Sequence, residues 1–203
     1  DSSTEKVWSI PSSMLEGIDL KNVRLIYFIV EGNNKTGTLT INRLPDYTVV
    51  TPSPTATQAD LNLPIVNLTD PGVVTVAPVG TTANVTNTDR GLSLTYNTVD
   101  KGWAGAGFSY DNGTTTAIET YDLSSLSQLT LGVKGDSERV KVEFVDSDGN
   151  KSKTYLFGVS STQEQYFSIP LNQLSAETTV GANLSKIAYV YLIVEGNNKT
   201  GTL

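Results

Sequence analysis

One stretch of eleven residues occurs twice in this chain, and it constrains the fold more than any other feature. The sequence IVEGNNKTGTL fills residues 29–39 and, letter for letter, residues 193–203. Weaker similarity extends upstream, where IDLKNVRLIYF precedes the first copy and ANLSKIAYVYL precedes the second. The offset of 164 residues is the size of a whole domain. Solenoid repeats are several times shorter. The pattern therefore predicts tandem copies of one domain.

The repeat also predicts where the domain boundaries lie. Residues 1–44 are expected to be the tail, with the closing strands, of a preceding copy. Residues 45–64, which include Thr-Pro-Ser-Pro-Thr, favour an extended polyproline-like linker. The alternative for this stretch is an ordered surface loop. Residues 65–203 are then most of the next copy.

Composition excludes several kinds of chemistry. The chain has no cysteine and no histidine, which excludes a Ser-His-Asp triad, a cysteine nucleophile and a Cys/His zinc site. A net charge of −7 and a pI near 4.5 argue against nucleic acid or an anionic membrane as a partner. Calcium is the metal that suits such an acidic, oxygen-rich surface. No apolar run is long enough to span a membrane, and no signal peptide is recognisable, so a mature chain or a fragment is expected.

Alternating apolar residues predict an all-β fold. About nine short strands follow residue 65, with turns between them and no convincing long helix, which is typical of an antiparallel β-sandwich. The predicted core consists of the inward-facing residues of these strands: Leu92, Leu94, Phe108, Leu129, Leu131, Val140, Val142, Phe144 and Ile169.

The amino-terminal copy contains a strand that is apolar on both faces. One face carries Val23, Leu25 and Ile29, and the other carries Ile26, Phe28 and Val30. Such a strand needs cover on both sides. Because the chain holds these closing strands twice and the opening strands once, the sequence predicts self-association, in which one chain donates a strand to the sheet edge of its neighbour.

The order of several motifs resembles a known family. The motifs are LSLTYN, GWAGAGFSYDNG, YDLSSLSQLTLGVKGD, RVKVEFVDSDGNKSKTY, QYFSIPLNQL and NLSKIAYVYLIVEGNNKTGTL. In this order they resemble the jelly-roll, galactose-binding-like carbohydrate-binding modules of bacterial polysaccharide-degrading enzymes and surface proteins. The resemblance covers residues 68–203 and implies an antiparallel jelly-roll β-sandwich that binds sugar without catalysis, often with a structural calcium. Asn42 stands where the family commonly has an acidic residue.

Sugar binding requires an aromatic plane and a few polar groups for hydroxyls. The candidates are Trp103, Tyr155 and Tyr191, with Lys141 and Glu143 as polar partners. The alternatives are that Trp103 caps the sandwich edge, that the tyrosines belong to the core, and that the two charged residues lie on a solvated sheet face.

A second candidate site is the turn that contains Asp146, Asp148 and Asn150. Their alternation resembles the start of a calcium loop, but the bidentate Glu of such a loop is missing. An ordinary Asp-Gly hairpin turn is the alternative. The pair Asp136 and Glu138 has no neighbour that would tune one carboxyl as an acid, and the chain is expected not to be an enzyme.

Two functions compete on this basis. The first is a noncatalytic, extracellular or cell-surface structural repeat that polymerises by strand donation into a surface layer, stalk or filament. The second is a carbohydrate-binding module of a secreted polysaccharide-degrading or cell-surface protein, with polysaccharide as its partner. The exact repeat favours the first, because duplicated domains give surface arrays their length. A glycosidase is the least favoured alternative.

Overall fold

The computed structural model describes residues 48–64, 74–77, 80–88, 91–100, 102–111, 113–137, 139–196 and 199–203. All of them belong to the second of two compact units, Asp1–Pro45 and Asp46–Leu203. The predicted assembly residues Val23, Leu25, Ile26, Phe28, Ile29 and Val30 lie outside the described residues.

The described chain is all-β. Its strands are β1 (Val49–Val50), β2 (Val74–Ala77), β3 (Thr82–Thr88), β4 (Gly91–Asn97), β5 (Gly102–Ser109), β6 (Gln128–Val133), β7 (Arg139–Asp146), β8 (Lys151–Phe157), β9 (Gln165–Pro170), β10 (Ser175–Ala176), β11 (Ile187–Gly196) and β12 (Thr200–Thr202). Short 3₁₀ turns at Gln58–Asp60, Leu171–Gln173 and Leu184–Lys186 are the helical segments of the described chain. Within these residues no helix is long and apolar enough to cross a membrane.

The strands form the two layers of a jelly-roll sandwich. The large sheet has the order β1-β8-β7-β11-β5-β2, with β10 also paired to β8. The opposite layer consists of two separate ladders, β12-β4-β3 and β6-β9. Neighbours pair antiparallel, as predicted, except that β1 runs parallel to β8.

The large sheet packs its inner face against both ladders. Val140, Val142 and Phe144 of β7 form one core cluster with Leu129 and Ile169 of the β6-β9 ladder. A smaller cluster joins Ala104, Ala106 and Val194 to Val85, Leu94 and Tyr96 of the β3-β4 ladder. Of the predicted core residues, Leu92 and Phe108 are only partly buried, and the others are confirmed as core.

Strand β3 was not predicted from the sequence. Its residues TANVTNT are polar, and Val85 is the one buried side chain among them. Edge strands are often polar, which protects them from pairing with other chains. The apolar alternation that revealed the other strands is therefore absent here.

The structure also differs from the predicted linker over residues 48–64. Val49 and Val50 pair with Tyr155 and Leu156 at the edge of the large sheet, and Ser53 N–H donates to Tyr166 O at 2.8 Å. The described residues of this segment therefore belong to the same compact unit as the sandwich.

Candidate functional site

The outer face of the large sheet brings the five predicted sugar-binding residues together. Strand register places Lys141 opposite Tyr155, Glu143 opposite Tyr191 and Trp103 opposite Glu195. Side chains two residues apart share a face of a strand, so these rows form one continuous surface. We refer to it as the outer face.

Buried charges occupy the centre of the outer face. Lys141 Nζ donates to Glu143 Oε2 at 2.8 Å and to Glu177 Oε1 at 3.1 Å, and Lys151 Nζ lies 2.9 Å from Glu143 Oε1. Lys141 and Glu143 are 8% and 4% exposed, whereas a sheet face open to solvent was the alternative expected from the sequence. That alternative is wrong for these two residues.

The pairing keeps both groups charged. Burial works to lower the pKa of Lys141, but hydrogen bonds and charge from Glu143 and Glu177 outweigh it and hold that pKa above its ordinary value. Burial works to raise the pKa of Glu143, but its bonds to Lys141 and Lys151 hold it below its ordinary value. The two side chains are therefore fixed to each other, not free to reorient toward a ligand.

Tyr155 is also held by neighbours on this face. Its hydroxyl donates to Glu195 Oε2 at 3.1 Å, and the Arg139 guanidinium lies 5.1 Å from its ring centroid. Arg139 Nη2 completes the arrangement with a 3.1 Å ion pair to Glu195. Since the ring is buried and covered by a cation, Tyr155 supports the face and does not offer a plane for stacking.

Tyr191 has a half-buried ring that stacks on a second tyrosine. The Tyr189 and Tyr191 ring centroids are 5.7 Å apart, with an interplanar angle of 21°. The Tyr191 ring lies directly over Gly107, where any Cβ would collide with it. A glycine at this position lets the ring lie flat against β5, and the paired rings form an aromatic platform.

Tyr189 was missed in the sequence analysis. It is half-buried, and its hydroxyl lies 3.4 Å from Asp111 Oδ2. The spacing of two residues from Tyr191 within one strand was the signal that would have revealed it.

Trp103 lies on the same face, farther along the sheet. It is half-buried. It pairs with Glu195, which lies four residues after Tyr191 on β11. At a rise of about 3.3 Å per residue, this separation is roughly 13 Å. One sugar ring is too short to contact both aromatic groups.

The turn that resembled a calcium loop has its polar groups bonded within the protein. Asp146 is 2% exposed, and its carboxylate accepts from the backbone N–H groups of Asp148, Asn150 and Asn183 and from Asn150 Nδ2. Asp148 pairs with Lys186. Burial works to raise the pKa of Asp146, but these hydrogen bonds outweigh it and hold the pKa below its ordinary value.

This bonding matches the hairpin alternative. Gly149 has φ +81°, the left-handed conformation that such a turn requires. In the part of the chain that the structure describes, no group of three or more acidic side chains is placed to hold a metal ion. Calcium binding at Asp146, Asp148 and Asn150 stays a prediction without structural support.

Comparisons with known proteins found no matching family model and no matching curated sequence. Several solved structures are similar. The family 11 carbohydrate-binding module of a cellulosomal cellulase from Clostridium thermocellum matches with 12% identity over 64% of this chain and 81% of its own, at a TM-score of 0.46. The family 30 module of another cellulase from that organism matches with 19% identity over 63% and 80%, at 0.39. An agarase matches with 13% identity over 69% of this chain but 23% of its own, at 0.46.

The identities and TM-scores of these matches are too low to indicate what this chain binds. The residues of the outer face are therefore the guide to its function.

Proposed function

We propose that the chain is a noncatalytic carbohydrate-binding module that holds a neutral polysaccharide on its outer face. The observation that carries this proposal is the aromatic platform of Tyr189 and Tyr191, in which the Tyr191 ring lies over Gly107. Pyranose rings expose C–H groups on their flat faces, and aromatic planes pack against such surfaces. Trp103, farther along the same sheet, supplies a second contact for a longer chain.

The charges of the outer face favour a neutral ligand. Arg139, Lys141, Lys151 and Lys153 oppose Glu143, Glu177 and Glu195, and the ion pairs between them leave little net field. Together with the net charge of −7, this argues against acidic polysaccharides, which the acidic protein repels. The exposed side chains of Arg139 and Lys151 can donate to the hydroxyl groups of a neutral sugar.

The carboxylates of the outer face are engaged in structural bonds. Glu143 accepts from two lysines, and Glu195 accepts from Arg139 and Tyr155. The bonds from Lys141 and Lys151 hold the pKa of Glu143 below its ordinary value, whereas a general acid needs a raised pKa. We therefore expect a polysaccharide-binding role in an extracellular setting, with no hydrolysis of the bound chain.

Affinity electrophoresis and calorimetry with a β-glucan, an agar-type galactan and alginate test this proposal. The full chain is expected to bind one of the neutral polymers and not alginate. Tyr191→Ala should weaken binding about tenfold, because an aromatic contact of this kind contributes roughly 1.4 kcal/mol. Tyr166→Ala is the matched control, since Tyr166 lies on β9 in the opposite layer. Equal binding by both variants would contradict the proposal.

A separate prediction concerns the role of Trp103 in binding long polysaccharide chains. If the ligand spans the face, Trp103→Ala should weaken binding of long chains more than binding of disaccharides, because only a long chain reaches both aromatic groups. Tryptophan fluorescence during titration reports on Trp103 and on Trp8. Unchanged affinity of Trp103→Ala for every chain length would remove this residue from the site.

A further inference from the structure

Asp111 is a carboxylate that extends the outer face beyond Tyr189. It follows β5 two residues after Ser109, which pairs with Tyr189 of β11. The N–H of Tyr110, between Ser109 and Asp111, continues the ladder with a 2.8 Å bond to the C=O of Ala188. Side chains two residues apart in an extended chain share a face, so the half-buried Asp111 side chain lies at the end of the row that contains Ser109.

Asp111 differs in its charge balance from the other carboxylates of the outer face. Glu143, Glu177 and Glu195 each form an ion pair with a lysine or an arginine. Asp111 forms no ion pair with any residue that the structure describes. Its negative charge is therefore available to the hydrogen-bond donors of a ligand, and the same charge repels acidic sugars.

Two hydrogen bonds fix the orientation of the Asp111 carboxylate. The hydroxyl of Tyr189 donates to Oδ2 at 3.4 Å, and the N–H of Gly113 donates to Oδ1 at 3.1 Å. An ionised carboxylate offers about four acceptor positions. Since these two bonds use only part of that capacity, the group is held in place and can still accept from hydroxyl groups.

The Asp111 carboxylate lies at the edge of the aromatic platform. Burial of Tyr189, followed by the charge of Asp111, raises the pKa of Tyr189, so its hydroxyl keeps the proton at neutral pH and remains a donor. A sugar ring that stacks on Tyr189 and Tyr191 projects its equatorial hydroxyl groups outward, close to the plane of the sugar ring. The hydroxyl groups that point past Tyr189 would meet the Asp111 carboxylate there.

We propose that Asp111 selects the ligand, because its carboxylate accepts hydrogen bonds from hydroxyl groups of the sugar that stacks on Tyr189 and Tyr191. This inference rests on the proposed function of the outer face. A hydrogen bond to a charged acceptor is roughly twice as strong as one between neutral groups. A site built to bond a hydroxyl group also rejects an analogue without it, because the polar group is then left unpaired. The ligand is therefore a neutral polysaccharide with unsubstituted hydroxyl groups on the stacked sugar.

Calorimetry with the full chain and two polymers, a soluble β-glucan and an agar-type galactan, tests the role of Asp111. Asp111→Asn removes the charge but keeps an oxygen that accepts from Gly113. The variant should bind the polymer that wild type binds about tenfold more weakly, because a hydrogen bond to a charged group is lost. Asp60→Asn is the matched control and should bind like wild type. The Asp60 carboxylate likewise accepts from a backbone N–H of its own turn, that of Thr57 at 2.7 Å, but Asp60 lies two residues before Asn62, which bonds to β6 in the opposite layer.

Tyr189→Phe separates contact with the sugar from support of the platform. This variant keeps the ring and loses the hydroxyl that donates to Asp111, so it should keep most of the wild-type affinity. Partial O-methylation of the polymer changes the ligand instead, so it tests the proposal even if Asp111→Asn fails to fold. Methylation should weaken binding by the wild-type chain, and a folded Asp111→Asn variant should lose less affinity.

The outcomes distinguish this inference from the proposed function. Wild-type affinity in Asp111→Asn, while Tyr191→Ala binds weakly, would overturn the role of Asp111 and leave the proposed function intact. Equal losses in Asp111→Asn and Tyr189→Phe, or unchanged binding of the methylated polymer, would have the same meaning. A wild-type chain that binds neither polymer would overturn the proposed function and this inference with it.

Discussion

Among single residues, the structure separates buried polar groups that hold the fold from side chains that a ligand can reach. Asp146 is the clearest structural case, because its carboxylate accepts four hydrogen bonds that close the β7-β8 hairpin and tie it to Asn183. Tyr191 is a side chain that a ligand can reach: its ring is half-buried and lies flat against Gly107.

Asp146→Asn should destabilise the protein by about 2–3 kcal/mol at pH 7, since buried donors lose a charged acceptor. The pKa of Asp146 is held below its ordinary value when folded. The stability that this shift contributes is therefore present above the ordinary pKa of an aspartate and is lost as the pH falls through the folded value. Urea unfolding at several pH values should show the gap between wild type and variant narrowing below about pH 4.

Asp148→Asn is the matched control in the same turn. Asp148 is exposed, and a pair such as Asp148–Lys186 contributes less than about 1 kcal/mol. A gap between Asp146→Asn and wild type that stays constant from pH 7 to pH 3 would contradict the role assigned to the Asp146 charge.

Among the secondary-structure elements, the central strands of the large sheet carry different chemistry on their two faces. Strand β7 places Val140, Val142 and Phe144 in the core and Lys141 and Glu143 on the outer face. This division is why a single strand both stabilises the sandwich and contributes to the candidate site.

Phe144→Ala should cost about 3–5 kcal/mol, as expected for a large side chain removed from a packed core. Phe144 is fully buried between the layers. Phe157→Ala, at the half-buried end of β8, should cost clearly less. Denaturant unfolding monitored by circular dichroism measures both, and a loss below about 1 kcal/mol for Phe144→Ala would show that the assigned face is wrong.

Across the sandwich as a whole, the two layers are tied together by a segment outside the main strands. Residues 48–64 pair with β8 in the large sheet through Val49 and Val50, bond to β9 through Ser53, and reach β6 through Asn62. The segment therefore crosses from one layer to the other, which a free linker would not do.

Asn62→Ala should destabilise the sandwich by about 1–3 kcal/mol, because the buried Thr130 N–H loses its acceptor. Gln58→Ala, in the exposed 3₁₀ turn of the same segment, should be within about 0.5 kcal/mol of wild type. Thermal unfolding and limited proteolysis measure this difference. If the Asn62→Ala and Gln58→Ala variants have equal melting temperatures and are cleaved equally between residues 48 and 64, the segment contributes nothing to the fold.

Local sequence patterns were enough to locate most strands and to predict which of their faces turns inward, because side-chain alternation in a strand has a period of two. They did not reveal β3, whose polar residues lack that alternation, or the ordered path of residues 48–64, whose Thr-Pro composition favours a linker. Which strands are neighbours became known only from the folded chain. That pairing placed the Tyr191 ring over Gly107, enclosed Lys141 with Glu143, and left an apolar cavity between β4 and β6. These features depend on interactions between residues far apart in the chain, which no local pattern encodes.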